Sequence, residues 1–220
     1  MGFFKDEQQS WKSFFLELGI LLCVVLFIRF YIFQFFQVSG PSMCPTLNYL
    51  NNYCERDKGE FIFVNEFLYN FIRDPHRGEV IVFKAPYAAK GRDIYIKRVI
   101  GIAGDTVEIK DGKVYLSNGE VTDFPLPETY LSPRNQGQTT TQKDKFVVPE
   151  GHVLVFGDNR EKSSDSRRCF SNNGCFGDKS PYIEISAIKG KSEFVIWPFW
   201  ETSELHSGFR FIKNEFDEIL

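Results

Sequence analysis

Two hydrophobic patterns divide this chain. From Phe14 to Phe36 nearly every position is apolar or aromatic, broken only at Glu17, Arg29 and Gln34. As a helix this run is about 34 Å long at about 1.5 Å per residue, enough to cross a hydrocarbon core of about 30 Å. It predicts one membrane-spanning segment. No small-x-small cleavage site follows the apolar run, so a retained anchor is expected rather than a removed leader. Arg29 lies close enough to the outer end to reach the interface.

After Pro45 the pattern becomes one of short strands and turns. Apolar runs at Phe61–Val64, Glu79–Phe83, Asp93–Ile100, Val147–Phe156 and Glu193–Trp197 read as strands, and Thr106–Leu116 reads as a hairpin around Asp111-Gly112. Helical periodicity outside the anchor is confined to Glu66–Arg73 and, weakly, the carboxyl terminus. Ser132–Lys145, rich in Gln, Gly and Thr, reads as an exposed loop. The expected class is mainly β, with antiparallel sheets following one N-terminal transmembrane helix. The expected division is a segment 1–13, an anchor 14–36, a β domain 37–200 and a tail 201–220 that is either a short docking helix or frayed.

Composition narrows the partners. The chain has 220 residues; about 180 remain outside the anchor, enough for one domain with a real core. The formal charge is −3 and the basic residues are scattered, which excludes a nucleic-acid partner. Lys5 and Lys12 precede the anchor, whereas no Lys or Arg occurs between Phe30 and Glu55. The positive-inside bias then predicts a cytoplasmic N-terminus, with the β domain on the far side of a cell membrane. A lipid bilayer is the first expected partner, and a monomer the expected state.

Cys23 falls within the anchor, Cys44 and Cys54 flank a loop, and Cys169 and Cys175 bracket a turn-rich segment. An oxidising compartment permits a Cys169–Cys175 bridge. Cys44 with Cys54 is the weaker pairing. No close Cys/His set suggests zinc, and no cofactor is implied.

The chemistry concentrates in three segments. Ser42 sits in Ser39-Gly40-Pro41-Ser42-Met43-Cys44-Pro45-Thr46, shortly after the anchor, and Lys97 sits in the strand-like Tyr95-Ile96-Lys97-Arg98-Val99-Ile100-Gly101. The three histidines, His76, His152 and His206, lie in no Gly-x-Ser-x-Gly context, so a Ser-His-Asp triad is poorly supplied. A serine nucleophile needs a base within hydrogen-bonding reach. Lys97 can serve only when neutral, and bringing a lysine near neutrality costs about 4 kcal/mol of environment. An apolar strand buried on its inner face supplies that desolvation. The competing reading is an ordinary edge-strand lysine. The third segment, Gly157-Asp158-Asn159-Arg160-Glu161-Lys162-Ser163-Ser164-Asp165-Ser166-Arg167, is either a polar turn or part of the same site.

Four ordered blocks carry a resemblance. Ser42-Met43-x-Pro45-Thr46, Arg77-Gly78-Glu79-Val80-Ile81-Val82-Phe83, Lys97-Arg98-Val99-Ile100-Gly101-x-x-Gly104-Asp105 and Gly157-Asp158-Asn159-Arg160-x-x-Ser163-x-Asp165-Ser166-Arg167 resemble the type I signal peptidases, membrane-bound Ser/Lys endopeptidases. The resemblance runs from the anchor to Trp197-Pro198-Phe199. It implies a signal-peptidase-like β domain that removes signal peptides from secretory precursors after small-x-small motifs. Ser42 would attack, Lys97 would act as base, and Ser163 would orient the lysine. Asp158, Asp165, Arg98 and Arg167 would form an ion-pair framework, with Met43 packed near the nucleophile. Two positions depart from the family pattern. Ala103 stands where Pro is common, and Gly40 stands where some members carry a Ser or Thr that donates to the oxyanion.

Substrate contact is expected along a strand added to the enzyme's sheet, with shallow pockets for small side chains. Phe61, Phe63, Trp197, Phe199 and Trp200 are either an apolar rim at the lipid surface or core. Two further readings stay open on sequence grounds: a Ser/Lys peptidase dedicated to one partner, and a catalytically inactive, membrane-tethered binding domain.

Overall fold

The computed structural model describes residues 3–50, 53–54, 57–87, 93–171, 174–197, 209–214 and 216. Phe199 and Trp200 lie outside them. Helix α1 (Phe3–Tyr31) ends five residues before the apolar run does, and the chain passes directly into strand β1 (Phe33–Ser39). The continuous apolar character hides this change. Gln34 and Gln37, three positions apart, fall on opposite faces of β1, Gln34 half-buried and Gln37 exposed. The apolar helix therefore ends at Tyr31, not Phe36, and Phe33–Phe36 lie in strand β1. The side chains of α1 from Trp11 onward are exposed almost throughout, and Trp11–Arg29 is long and apolar enough to cross a bilayer.

Among the described residues fourteen strands follow, all paired antiparallel. β2 (Tyr49–Leu50) and β3 (Tyr53–Cys54) form a two-stranded ribbon. β4 (Lys58–Asn65), β5 (Val80–Lys84) and β6 (Ile94–Gly101) come next, then the hairpin of β7 (Thr106–Lys110) and β8 (Lys113–Ser117), turning at Asp111-Gly112 as the sequence predicts. β9 (Phe124–Pro125) and β10 (Lys145–Val147) join that hairpin in the order β10-β7-β8-β9. β11 (His152–Phe156), β12 (Ile183–Glu184), β13 (Ile188–Trp197) and β14 (Arg210–Phe211) complete the chain. The large sheet has eight strands in the order β1-β4-β13-β5-β6-β11-β12, with β14 on β13.

Three expectations are corrected here. Val147–Phe156 is not one strand: Pro149 lacks a donor and Gly151 turns at φ +71°, so β10 and β11 enter different sheets. Glu66–Arg73 yields only one wide helical turn, Leu68–Ile72. The tail is neither a docking helix nor frayed where it is described: β14 adds to the large sheet, and Ile212 and Phe216 are buried in the core.

β5 is buried on both faces, as its unbroken Val-Ile-Val-Phe run suggests. Val80 and Val82 pack with Val38, Met43, Leu47, Ile62, Val64 and Val195. Ile81 and Phe83 pack on the opposite face with Val99, Val153, Val155, Phe170 and Ile183. A third cluster joins the two sheets through Ile100, Val107, Leu116, Phe146, Leu154, Phe156 and Phe216.

Pairing register sets the height of Lys97 relative to the anchor. Phe33 pairs with Asn65, Asn65 with Lys191, Lys191 with Ile81, and Ile81 with Lys97. One row of the sheet thus runs from the strand that leaves the anchor to the candidate base, across roughly 19 Å at about 4.8 Å per strand.

Candidate active site

The Ser42 segment is a tight loop closed at several points. Gly40, at φ +85°, turns the chain out of β1 with its N–H donating to Asp57 O at 3.1 Å. Cys44 and Leu47 donate their N–H groups back to Pro41 O and Met43 O. The Asn48 amide, fully buried, donates to Val38 O at 3.3 Å and Gly40 O at 3.1 Å. A disulfide joins Cys44 to Cys54 on β3. The second bridge, Cys169–Cys175, also forms, so the pairing judged weaker from the sequence is present beside the stronger one. Met43 is buried in the cluster beneath the loop.

Across this loop lies β6. The outer end of β6 is exposed at Ile94, but from Lys97 onward every residue is buried. Lys97 is 3% exposed, and its Nζ donates to Ser42 Oγ at 2.8 Å and to Ile96 O at 2.6 Å. Burial brings the amine down to about 8. Asp165 and Asp158 oppose that shift by favouring the charged form, while Arg167 assists it. The edge-strand reading of Lys97 is therefore excluded by its burial.

The Gly157–Arg167 segment packs against both. A Cβ on Gly157 would stand 2.2 Å from Ser163 Oγ and 2.5 Å from Ser42 O, closer than any side chain tolerates. Glycine is what permits the loop to touch the Ser42 segment. Asn159 N–H then donates to Ser42 O at 3.0 Å. Ser163 is buried, but its Oγ lies outside good hydrogen-bond geometry with every described polar atom, although it is near enough to Asp165 to favour the ionised carboxylate. It makes no bond to Lys97 here.

The four charged residues form two buried, bidentate pairs. Arg98 donates to Asp158 at 2.9 and 2.7 Å, and to Gly78 O at 2.7 Å; its guanidinium lies 4.1 Å from the centre of the Tyr130 ring. Arg167 donates to Asp165 at 2.9 and 2.7 Å, and to Arg160 O at 3.0 Å. Burial pushes the Asp165 carboxyl up, but the charge and hydrogen bonds of Arg167, with the Gly157 N–H, outweigh it and hold the group below its ordinary value. Thr46 Oγ1 donates to Asp158, tying this pair to the Ser42 loop.

Two further clusters escape sequence reasoning. Arg160 is buried against Glu128, Tyr130 and Thr139. Arg210, on β14, donates to Glu60 and to Thr46 O. Glu60 in turn accepts from Asn48 N–H at 2.7 Å. Nothing local to Arg210 in the sequence signals this contact.

A single apolar helix leading into an antiparallel β domain, with a serine hydroxyl held against a desolvated amine, is the architecture of a membrane-anchored hydrolase equipped for nucleophilic chemistry. The family model for signal peptidase, peptidase S26, matches residues 11–197, and the chain belongs to that family. It is 36% identical to signal peptidase I of Bacillus caldolyticus over 82% of this chain and 88% of that protein. Signal peptidase I S of Bacillus subtilis is 34% identical, over 90% of this chain and 97% of its own length. A crystal structure of a signal peptidase I from Enterococcus faecalis V583 covers 55% of this chain and 97% of its own, at 27% identity and a TM-score of 0.38.

Proposed function

We propose that the protein removes N-terminal signal peptides from secretory precursors by acyl-enzyme catalysis on a Ser42/Lys97 dyad. The observation that carries this reading is the 2.8 Å contact between Lys97 Nζ and Ser42 Oγ, made by an amine that burial brings to about 8. At pH 7.5 such an amine is neutral about a quarter of the time, against roughly one part in a thousand for a free lysine.

Ser42 Oγ attacks the scissile carbonyl as its proton passes to Lys97 Nζ. The resulting oxyanion needs a donor. Gly40 offers no hydroxyl and its N–H is committed to Asp57 O, which leaves the Ser42 N–H, unpaired among the described residues, as the primary donor. Lys97 then gives its proton to the leaving amine, and a water deprotonated by the same lysine releases the acyl group from Ser42. Ser163, buried against the nucleophile segment, orients the amine once the substrate closes the site. The Arg98–Asp158 and Arg167–Asp165 pairs hold the two loops against each other.

The register row from Phe33 to Lys97 supports a site close to the height at which the chain leaves the anchor. That favours a substrate held in the bilayer by its own apolar segment, bound as an added strand with small residues ahead of the cut. Lys5 and Lys12, at the N-terminal end of α1 ahead of its apolar stretch, favour a cytoplasmic N-terminus with the β domain outside. A monomer suffices, since the nucleophile and base come from one chain.

The test is cleavage of a small-x-small precursor in detergent micelles. Ser42→Ala and Lys97→Ala each abolish turnover while circular dichroism and thermal unfolding remain those of a folded protein. Normal turnover by either variant refutes the dyad. A peptidase dedicated to one partner would fail to restore secretion in cells depleted of their own signal peptidase, whereas this reading expects rescue.

A further inference from the structure

The face of β6 that carries Lys97 is backed by rings that do not belong to the proposed dyad. Side chains alternate along a strand, so Tyr95, Lys97 and Val99 project to one face. Tyr95 pairs with Phe83 on β5, and both rings meet Phe170, with centroids 5.7 Å from Phe83 and 6.3 Å from Tyr95. All three pairs cross edge to face, the arrangement that aromatic quadrupoles favour. Lys97 Nζ stands 5.4 Å from the centre of the Tyr95 ring. Tyr95, half-buried, thus links the amine to Phe170, which is 3% exposed.

Phe170 is held there against its own backbone preference. Cys169 and Phe170 both have left-handed φ, +47° and +54°, which residues with a Cβ adopt only when their surroundings over-determine it. Two main-chain bonds and a bridge do so. Cys169 N–H donates to Ser166 O at 3.1 Å and Phe170 N–H to Asp165 O at 3.0 Å, fixing both residues to the segment of the Arg167–Asp165 pair. The Cys169–Cys175 disulfide, with Cys169 fully buried, closes the turn at the residue before Phe170. The ring is thereby sent into the cluster that contains Ile81, Phe83, Val99 and Val155.

The surroundings of the amine show why that placement counts. The charged groups acting on Lys97 are Asp165, Asp158 and Arg167, all on the Gly157–Arg167 segment. Both carboxylates favour the ammonium and Arg167 opposes it, while burial is the largest influence and favours the neutral amine. β5 meets Lys97 with its cross-strand partner Ile81, the Ser42 loop with a hydroxyl, and β6 itself with the Tyr95 ring. A neutral amine therefore depends on water staying out of this layer of rings. Emptying the Phe170 position would open a void close to a polar group, where water is stable.

We propose that Phe170 is a positioning residue for Lys97, held by the Cys169–Cys175 bridge: its ring fixes Tyr95 against the lysine side chain and keeps water from the amine. It acts through Tyr95 and not on the reacting atoms. This assignment deepens the proposed Ser42/Lys97 dyad and rests on it.

The test is the pH profile of kcat/KM for precursor cleavage by the full chain in detergent micelles. In Phe170→Ala the midpoint is expected about one pH unit above that of the wild type, a loss of about tenfold at pH 7 that alkaline pH restores. Phe170→Leu, which refills most of the space, should return the midpoint close to the wild-type position. Cys169→Ala/Cys175→Ala should move it in the same direction as Phe170→Ala, and combining the two should move it little further. The bridge variant carries the test where Phe170→Ala does not fold. A loss by one constant factor at every pH would make Phe170 a packing residue only and overturn the proposal. An unmoved midpoint in a variant whose turnover still requires Lys97 would also overturn it, leaving the dyad intact, and additive shifts would break the link between bridge and ring. Normal turnover by Lys97→Ala would refute the dyad itself, and this assignment with it.

Discussion

Arg210 grips Glu60 through two hydrogen bonds, at 2.7 and 2.8 Å, and with the same guanidinium donates to Thr46 O at 3.0 Å. Glu60 passes the constraint to Asn48, whose amide holds both Val38 O and Gly40 O. The carboxyl-terminal strand therefore secures both ends of the loop that carries Ser42. Arg210→Ala is expected to lower kcat by about tenfold or more with little change in KM, because a small misplacement of the nucleophile costs rate rather than ground-state binding. Arg210→Lys should recover only part of the loss, since an ammonium cannot make the forked contact. Steady-state kinetics on the two variants decide it; a change in KM alone would remove Arg210 from this role.

The Arg98–Asp158 pair sits fully out of water, with side-chain exposures of 0% and 1%. Removing one partner leaves the other charged and buried, a cost of about 3–5 kcal/mol. Asp158→Ala and Arg98→Ala should each lower the unfolding free energy by that amount, and the double variant should lose much less than the sum. Additive losses in urea unfolding would mean that the two residues are not coupled.

How much of this was readable in the sequence depends on how local the determinant is. The convergence of Ser42, Lys97 and the Gly157–Arg167 loop is legible because each lies in a compact motif. The Asp111-Gly112 hairpin is legible because the turn chemistry and the alternation agree. The end of α1 is not: Phe33, Phe35 and Phe36 suit lipid and a β-sheet equally, and only pairing with β4 distinguishes them. The role of Arg210 is equally hidden, since its partner Glu60 stands 150 residues away. Cys44 and Cys54 carry no sign of their pairing beyond proximity, because it is the β2–β3 ribbon that brings them together.

The Cys44–Cys54 bridge closes a loop of ten residues' separation two positions beyond the nucleophile. Closing a loop of that length restricts the unfolded chain by about 2–3 kcal/mol. Cys44→Ser/Cys54→Ser should lower stability by that amount in urea unfolding, and should also reduce turnover, because the same loop carries Ser42. Full turnover with lowered stability would confine the bridge to a structural role.

On the proposed dyad, Lys97 links the pH dependence of activity to that of stability. Because its amine is brought from 10.5 to about 8 by burial, cleavage should rise with pH through about 8 and level off above it, as the base loses its proton. The unfolded chain keeps that proton up to about 10.4. Between these values the unfolded state binds more protons, so this group's contribution to stability rises with pH across that window and is absent below it. At neutral pH the fold therefore carries a desolvated cation worth about 3 kcal/mol of lost stability. Lys97→Met, apolar and of similar length, should be inactive yet more stable than the wild type near pH 7, with the advantage shrinking toward pH 10. Thermal unfolding of both proteins across pH 6–10 measures it. A variant that is less stable than wild type at every pH would show that the amine contributes more through its bonds to Ser42 and Ile96 than its burial costs.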